Sequence, residues 1–181
     1  MIVMLPLHFD EIEVYDEERN LFETIREQTI YLEHSLVSLA KWESKWHKPY
    51  LSEDEKTPEE ILDYIRCMTV TPNVNPIVYR MLTPEHIKAI EEYINDKMTA
   101  TWFKETKNVR QKEVITAEII YYWMISLQIP VEFQKWHLNR LLTLIKVCNS
   151  KNQPKKMSKR EILSRNRELN KARRNKFNTK G

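Results

Sequence analysis

The chain has 181 residues, of which 41% are hydrophobic and 30% are charged, which is typical of a globular domain with an appendage. Its only glycine is Gly181, so phosphate-binding loops built on glycine, such as GxGxxG and the Walker loop, are excluded. Tight turns must use Asn, Asp and Pro, which favours helices over a large sheet.

The net charge of +3 hides a strong asymmetry along the chain. Residues 151–181 contain twelve Lys or Arg and two Glu, which gives +10. The remaining 17 basic and 24 acidic side chains give residues 1–150 a net charge of −7. We therefore predict an acidic body followed by a basic tail.

A small antiparallel sheet is predicted for residues 1–34. Residues 2–7 are apolar enough for a strand, and residues 11–15 alternate between apolar and polar side chains. Residues 16–20 form a polar turn, and a return strand follows over residues 21–33. Because an isolated hairpin is marginally stable in water, we expect this sheet to pack on the helices or on another chain.

Helix start signals mark the segment that follows. Ser35 is placed to cap a helix from Leu36 to about Trp46. Thr57–Pro58–Glu59–Glu60 is a capping box with proline in the first turn, and Thr83–Pro84–Glu85 repeats that type of start. A single turn is predicted at residues 77–82. We expect residues 99–103 to be a short strand or an irregular connector and residues 104–112 to be a mobile loop.

Two helices are predicted between Val114 and Cys148. The first is apolar on almost every side, so we expect it to be the central helix of the protein, surrounded by other elements. Pro130 should end it, because proline lacks the amide that a continuing helix would use. The second helix should follow directly and form an antiparallel hairpin with the first.

The basic tail is predicted to be a helix of its own. We expect a break at residues 149–154, and Ser158 with Glu161 forms a capping box that opens a helix to about Lys176. Its apolar stripe is thin, so this helix should protrude and be weakly attached to the body, or be ordered by a partner. The predicted fold is therefore α+β, mostly α, with a small N-terminal antiparallel sheet (1–34) packed on a helical core (35–150) and a protruding basic C-terminal helix (151–181).

No catalytic or metal-binding pattern is present. The five histidines do not occur in HxxxH or HExxH spacing, and Cys67 and Cys148 are expected to be buried free thiols in a reducing cytosol. The adjacent carboxylates Glu59/Glu60 and Glu91/Glu92 are interpreted as solvated helix surface. We therefore expect no catalytic residue, no metal site and no cofactor, and a protein that is not an enzyme.

Candidate partner-binding residues occur in two places. Trp42 and Trp46 are one helical turn apart, so their rings should lie on one side of a helix. They either pack in the core or form a partly exposed groove for a partner helix. The second place is the basic tail, which is suited to phosphates, to an acidic protein face or simply to solvent. The tail candidates are Lys159, Arg160, Arg165, Arg167, Arg173 and Arg174.

Three long segments of the chain, Leu32–Ser52, Ile115–Asn149 and Lys155–Arg174, resemble small tail-module proteins of tailed bacteriophages. Such proteins are often described as tail assembly chaperones. The resemblance covers most of the chain and carries no catalytic motif. It implies a non-catalytic helper in the host cytoplasm during infection, which binds the tape-measure or tail-tube protein and keeps it soluble until the virion is assembled.

Two other functions stay open at this point. The first is a structural virion component, such as a tail terminator or connector subunit, in which case the protein would also be found in the virion. The second is a nucleic-acid-binding module that uses residues 151–181. Homo-oligomerisation is compatible with each of these functions, and no membrane association is expected.

Overall fold

The computed structural model of the protein describes residues 3–16, 20–103, 114–152 and 159–177. The chain forms two compact units, Met1–Cys148 and Asn149–Gly181. The predicted fold class is confirmed, because helices dominate and the strands are antiparallel and lie near the N-terminus. The division of the first unit into a sheet segment and a helical segment stays a prediction.

The N-terminal strands form one long β-hairpin with an interruption. The four strands are β1 (Leu5–Phe9), β2 (Ile12–Asp16), β3 (Leu21–Ile25) and β4 (Gln28–Leu32). β1 pairs with β4 and β2 pairs with β3, both antiparallel. Phe9 lies opposite Gln28 and Ile12 opposite Ile25, so two residues on each side separate the pairs and the register is continuous.

The predicted hairpin is confirmed, with shifted strand limits. The first strand runs over Leu5–Phe9 rather than residues 2–7, and the alternating strand lies at Ile12–Asp16. Residues 17–19 of the predicted polar turn lie outside the described residues. The return is divided into two strands around Arg26–Glu27.

The inner end of the hairpin is fixed to the helices of the same chain. Glu33 N donates to Met68 O at 2.8 Å, and Val70 N donates to Tyr31 O at 2.9 Å. Thr69 forms an isolated antiparallel bridge with Leu32. Residues 68–70 thus extend the inner pair of strands, β1 and β4. They supply the packing that an isolated hairpin lacks.

Each predicted helix start in the middle of the chain is found. The elements are α1 (Leu36–Trp46), α2 (Pro58–Met68), a 3-10 helix (Pro76–Met81) and α3 (Pro84–Asn95). Ser35, Thr57 and Thr83 cap the three α-helices through their hydroxyl oxygens. Residues 99–103 have no regular structure, which fits the irregular connector. The predicted mobile loop at 104–112 lies outside the described residues.

The last part of the first unit departs from the predicted pair of helices. The elements are α4 (Ala117–Ser126), a 3-10 helix (Val131–Lys135) and α5 (Leu138–Asn152). The break before Pro130 is confirmed, but the prediction of a second helix directly after it is wrong. Trp136 is extended, and Leu138 N donates to His34 O at 2.9 Å, so pairing with the residues before α1 delays the start of α5. The break predicted at 149–154 also begins too early, because α5 continues to Asn152.

The central helix is α1, and the prediction that α4 is central is wrong. Trp42 belongs to a core formed with the hairpin, α2 and α3. Leu36 and Leu39, on the same helix, belong to a second core formed with α4 and α5. α1 therefore lies between the two cores, whereas α4 covers only one of them.

The second unit contains α6 (Lys159–Phe177). The predicted basic helix is confirmed over these residues, and every described residue from 159 to 177 is exposed. Its predicted cap, Ser158, lies outside the described residues.

Candidate functional site

The tryptophan pair lies where α1 packs on α2. The rings of Trp42 and Trp46 stack with centroids 6.1 Å apart. Trp42 is 1% exposed, and its Nε1 donates to the carbonyl oxygen of Glu60 at 2.9 Å. Trp46 is half-buried and donates to Asp63 Oδ2 at 2.8 Å. Trp42 is therefore a core side chain in this structure, which agrees with the core-packing alternative, and only Trp46 offers a ring edge to solvent.

Glu60 is buried, which corrects the prediction that the Glu59/Glu60 pair is solvated; Glu59 alone is exposed. Glu60 accepts a hydrogen bond from Thr57 N at 2.8 Å and forms an ion pair with Lys48. The hydrogen bond from Lys48, followed by that from the Thr57 amide, lowers the pKa of Glu60. The carboxylate thus completes the start of α2 and joins it to the segment after α1.

A cleft of about 300 Å³ opens beside the buried Trp42. Its lining includes Lys48, Pro49, Ser52, Lys56 and Glu60. Lys56 Nζ lies 5.0 Å from the centroid of the Tyr50 ring, a cation–π distance. The cleft is at the predicted place for a groove, and most of the residues that line it are polar or charged, although their apolar atoms also contribute to its surface.

Glu43 connects the two cores through a hydrogen-bonded carboxylate. Its Oε1 accepts from Tyr50 N at 2.8 Å, and its Oε2 accepts from Ala117 N at 2.7 Å. Thr116, the residue before α4, makes no capping bond with its side chain. Glu43 therefore supplies the missing cap of α4 from 74 residues away. Burial raises the pKa of Glu43, and the two amide hydrogen bonds partly offset that effect.

We predict that Glu43→Ala lowers the free energy of unfolding by about 2 kcal/mol, because the buried Ala117 amide and the partly buried Tyr50 amide lose their acceptor. Glu43→Gln should cost less, since its amide oxygen keeps one of the two bonds. Glu118→Ala, which removes an exposed carboxylate from the first turn of α4, is the matched control and should cost below about 0.5 kcal/mol. Urea unfolding followed by circular dichroism checks this, and equal losses for Glu43→Ala and Glu118→Ala would contradict the remote cap.

A buried cluster of two histidines and two tyrosines joins four elements. His34 Nδ1 lies 2.7 Å from the Tyr64 hydroxyl, and the His34 and His137 rings are 5.0 Å apart. His137 Nε2 lies 2.8 Å from Tyr93 O, and the Tyr93 hydroxyl donates to Val3 O at 2.8 Å. His137 Nδ1 is buried without a hydrogen-bond partner among the described residues. The cluster fastens the end of β4, α2, α3 and the start of α5 to one another.

Both histidines of this cluster are held in the neutral form. Burial, followed by the proximity of His137, lowers the pKa of His34 to about 3. Burial also lowers the pKa of His137, although the hydrogen bond to Tyr93 O acts in the opposite direction. Burial raises the pKa of the Tyr64 hydroxyl well above its ordinary value. These shifts favour the neutral forms of His34, His137 and Tyr64 near neutral pH.

α4 exposes large apolar side chains. It buries Ala117, Ile120 and Met124, whereas Tyr122 is 66% exposed and Ile125 is 76% exposed. These two residues are three positions apart and lie on one side of the helix. In the sequence, the continuous apolar run predicts that this helix is buried on all sides. The structure shows that the run covers one core and leaves an apolar surface, here called the α4 surface (Tyr122 and Ile125).

The outer half of the hairpin exposes a second set of apolar side chains. Leu21 and Phe22 are 65% and 71% exposed, and Tyr15 and Ile12 are also exposed. The rings of Tyr15 and Phe22 lie opposite each other with centroids 5.2 Å apart. This hairpin arm (β2 and β3) was not singled out from the sequence, although two consecutive apolar residues after a polar turn are a usable signal.

The candidate cations of the tail belong to the second compact unit. Their side chains are exposed on α6, and they are Lys159, Arg160, Arg165, Arg167, Arg173 and Arg174. The tryptophan pair belongs to the first unit. The two groups of predicted partner-binding residues are thus parts of different units.

The remaining observations concern metals, membranes and known proteins. Among the described residues, no three His, Cys, Asp or Glu side chains are grouped to hold a metal ion. The described helices include none with the length and apolar character needed to cross a membrane. Cys67 and Cys148 are free and only partly buried, less than the burial we expected.

Comparison with protein-family models, curated proteins and solved structures found no match.

Proposed function

We propose that this protein is a non-catalytic tail assembly chaperone of a tailed bacteriophage, which binds the tape-measure or tail-tube protein while the virion is assembled. The observation that carries the binding function is the α4 surface, on which Tyr122 and Ile125 are exposed although Ala117, Ile120 and Met124 of the same helix are buried in a core. The phage context comes from the resemblance of three long segments. The site of action is then the host cytoplasm during infection.

The uses of the buried ionisable groups support a non-catalytic role. Glu43 accepts two backbone amides, and Glu60 accepts one and pairs with Lys48. Asp63 forms an ion pair with Lys45 and accepts a hydrogen bond from Trp46 Nε1. Burial alone would raise the pKa of Asp63, but these hydrogen bonds lower it. Each of these three carboxylates has a structural partner and helps to hold the helices together.

The client is expected to offer an amphipathic helix. An aromatic and an aliphatic anchor one turn apart suit the apolar stripe of such a helix, and tyrosine is enriched among binding hot spots. The net charge of −7 on residues 1–150 favours a client with basic residues beside that stripe. A long helical tape-measure protein has the required periodicity, which makes it the first client to test.

We predict that Tyr122→Ser with Ile125→Ser weakens binding of the client at least about tenfold, since two exposed anchors are removed. Stability should change by less than about 1 kcal/mol, because both side chains are mostly solvated. Tyr31→Ser with Ile61→Ser is the matched control, because it removes the same two residue types from β4 and α2. These side chains are 45% and 48% exposed. Isothermal titration with purified tape-measure and tail-tube proteins measures the effect.

Two results of that titration would count against the proposal. If neither phage protein binds the unaltered chain, the chaperone function is wrong. If both double variants weaken binding equally, the α4 surface is not the site, and general surface hydrophobicity explains the interaction.

The hairpin arm favours a second candidate, a structural virion subunit. Its exposed Leu21 and Phe22 would be covered if neighbouring copies packed around a ring in a tail terminator or connector. Mass spectrometry of purified virions separates the two functions. A chaperone should be absent or rare in the virion, whereas a ring subunit should be present in a fixed number of copies and form homo-oligomers in solution.

A further inference from the structure

α6 carries its charges in an ordered arrangement. Its 19 residues contain eight Lys or Arg and two Glu. Successive residues of a helix are about 100° apart around its axis, so Glu161 and Glu168, seven residues apart, lie on one side. The rest of the circumference, which we call the basic front of α6, holds three exposed apolar side chains (Ile162, Leu163 and Leu169) and all eight cations. The cations are Lys159, Arg160, Arg165, Arg167, Lys171, Arg173, Arg174 and Lys176.

One edge of the basic front is a row of three arginines. Arg160, Arg167 and Arg174 are seven residues apart, so they lie in line along the helix over about 21 Å. Lys171 lies beside this row, one turn from Arg167 and from Arg174. All four side chains are exposed. Such a line of cations matches a regularly spaced polyanion better than a single charged group.

The other edge also carries cations, and amides lie between the two edges. Arg165 and Lys176 are roughly half a turn around the helix from the arginine row. Asn166 and Asn170, four residues apart, lie on the middle of the front, and Arg173 is one turn after Asn170. Cations on both edges, with amides and the apolar side chains of Ile162, Leu163 and Leu169 between them, give the helix a charge pattern that suits two rows of negative charge.

We propose that α6 is a binding site for duplex DNA, which it enters through the major groove with its basic front. A helix with side chains is about 10–12 Å across, and the major groove is about 12 Å wide. The two cationic edges would then meet the phosphates of the two strands, and the central asparagines would face the base edges, where an Asn amide pairs with adenine.

The same arrangement favours duplex DNA over other polyanions. A helix docked on an acidic protein surface would use one side and leave the second cationic edge in water. Single-stranded nucleic acid is bound largely by aromatic stacking on several bases, and α6 has one aromatic side chain, Phe177, at its last residue. Duplex RNA has a deep, narrow major groove that does not admit a helix.

The test uses the full chain and a fluorescein-labelled 20-base-pair DNA duplex, with binding followed by anisotropy. If each of the six cations on the two edges meets one phosphate, the affinity should fall roughly 1,000-fold between 50 and 200 mM salt. The variant Arg160→Gln, Arg167→Gln, Lys171→Gln, Arg174→Gln should weaken binding at 50 mM salt at least about tenfold and flatten the salt dependence. Circular dichroism checks that its helix content is unchanged.

A matched variant removes the same net charge elsewhere. Lys41→Gln, Arg80→Gln, Lys97→Gln, Lys146→Gln changes four exposed cations of the first unit and should keep most of the affinity. Equal losses in the two variants, no binding by the unaltered chain, or equally effective competition by polyglutamate or duplex RNA would each overturn the proposal. The Tyr122→Ser, Ile125→Ser variant should bind DNA normally, so this site is judged separately from the chaperone function.

Discussion

Trp42→Ala is expected to lower the free energy of unfolding by about 3–5 kcal/mol, the range for large aromatic truncations in a core. The ring is 1% exposed and contacts Trp46 and Tyr50, with the Tyr50 ring at 5.0 Å edge-on. Removing it leaves a cavity beside α2 and deprives the Glu60 carbonyl of the 2.9 Å hydrogen bond from Nε1. Urea unfolding of the full chain, monitored by circular dichroism, measures the loss.

Trp46→Ala is the control for that experiment. The same ring type is removed one turn further along α1, but Trp46 is half-buried, so the loss should be smaller, about 1–2 kcal/mol. If Trp42→Ala unfolded at the same urea concentration as the unaltered protein, the ring would not be part of the core. The partner-groove alternative for the tryptophan pair would then be favoured.

Mild acid should destabilise the protein, because His34 is buried in its neutral form. Its pKa in the folded state is about 3, whereas an unfolded histidine has a pKa of about 6.5. Below pH 6.5 the unfolded chain therefore binds a proton that the folded chain does not, and stability falls as the pH falls towards 3. For one such group the loss between pH 7 and pH 5 is about 2 kcal/mol.

The pKa shifts of the other buried groups determine the pH range in which the two histidines control the stability. The lowered pKa of His137 adds a loss of the same sign. Glu60 and Asp63 also have lowered pKa values, so their contribution is lost only as the pH falls below about 4.5. The raised pKa of Glu43 acts in the opposite direction, because its folded form takes up a proton first. Between pH 7 and pH 5 the histidines dominate.

His34→Asn tests the assignment. The variant should be less stable than the unaltered protein at pH 7, yet its stability should fall by about 2 kcal/mol less between pH 7 and pH 5. His47→Asn, at an exposed position with a left-handed backbone (φ 53°) that Asn tolerates, is the matched control and should keep the unaltered pH dependence. Parallel pH dependences for His34→Asn and the unaltered protein would contradict this origin of the acid sensitivity.

The candidate sites were only partly predictable from the sequence. The spacing of Trp42 and Trp46 placed both rings on one side of α1, and the clustered cations of the tail marked α6. Whether Trp42 faces a core or a groove depends on what α2 places against it, and no local pattern contains that information. The Asn166 and Asn170 face became visible only once the limits of α6 were known, since a face has meaning only on a defined helix.

The starts of α1, α2 and α3, the hairpin and the basic helix could be predicted from the sequence alone. Ser35, Thr57 and Thr83 hydrogen-bond to an amide three residues away, so their capping works without the rest of the chain. The central position of α1, the start of α5 at Leu138 and the burial of Glu43 and Glu60 followed from the packing of the folded chain. Those outcomes depend on partners distant in the sequence, such as Ala117 for Glu43 and His34 for Leu138. An apolar run shows that a helix has surface to bury, but the number of neighbours that cover it is set by the packing of the whole chain.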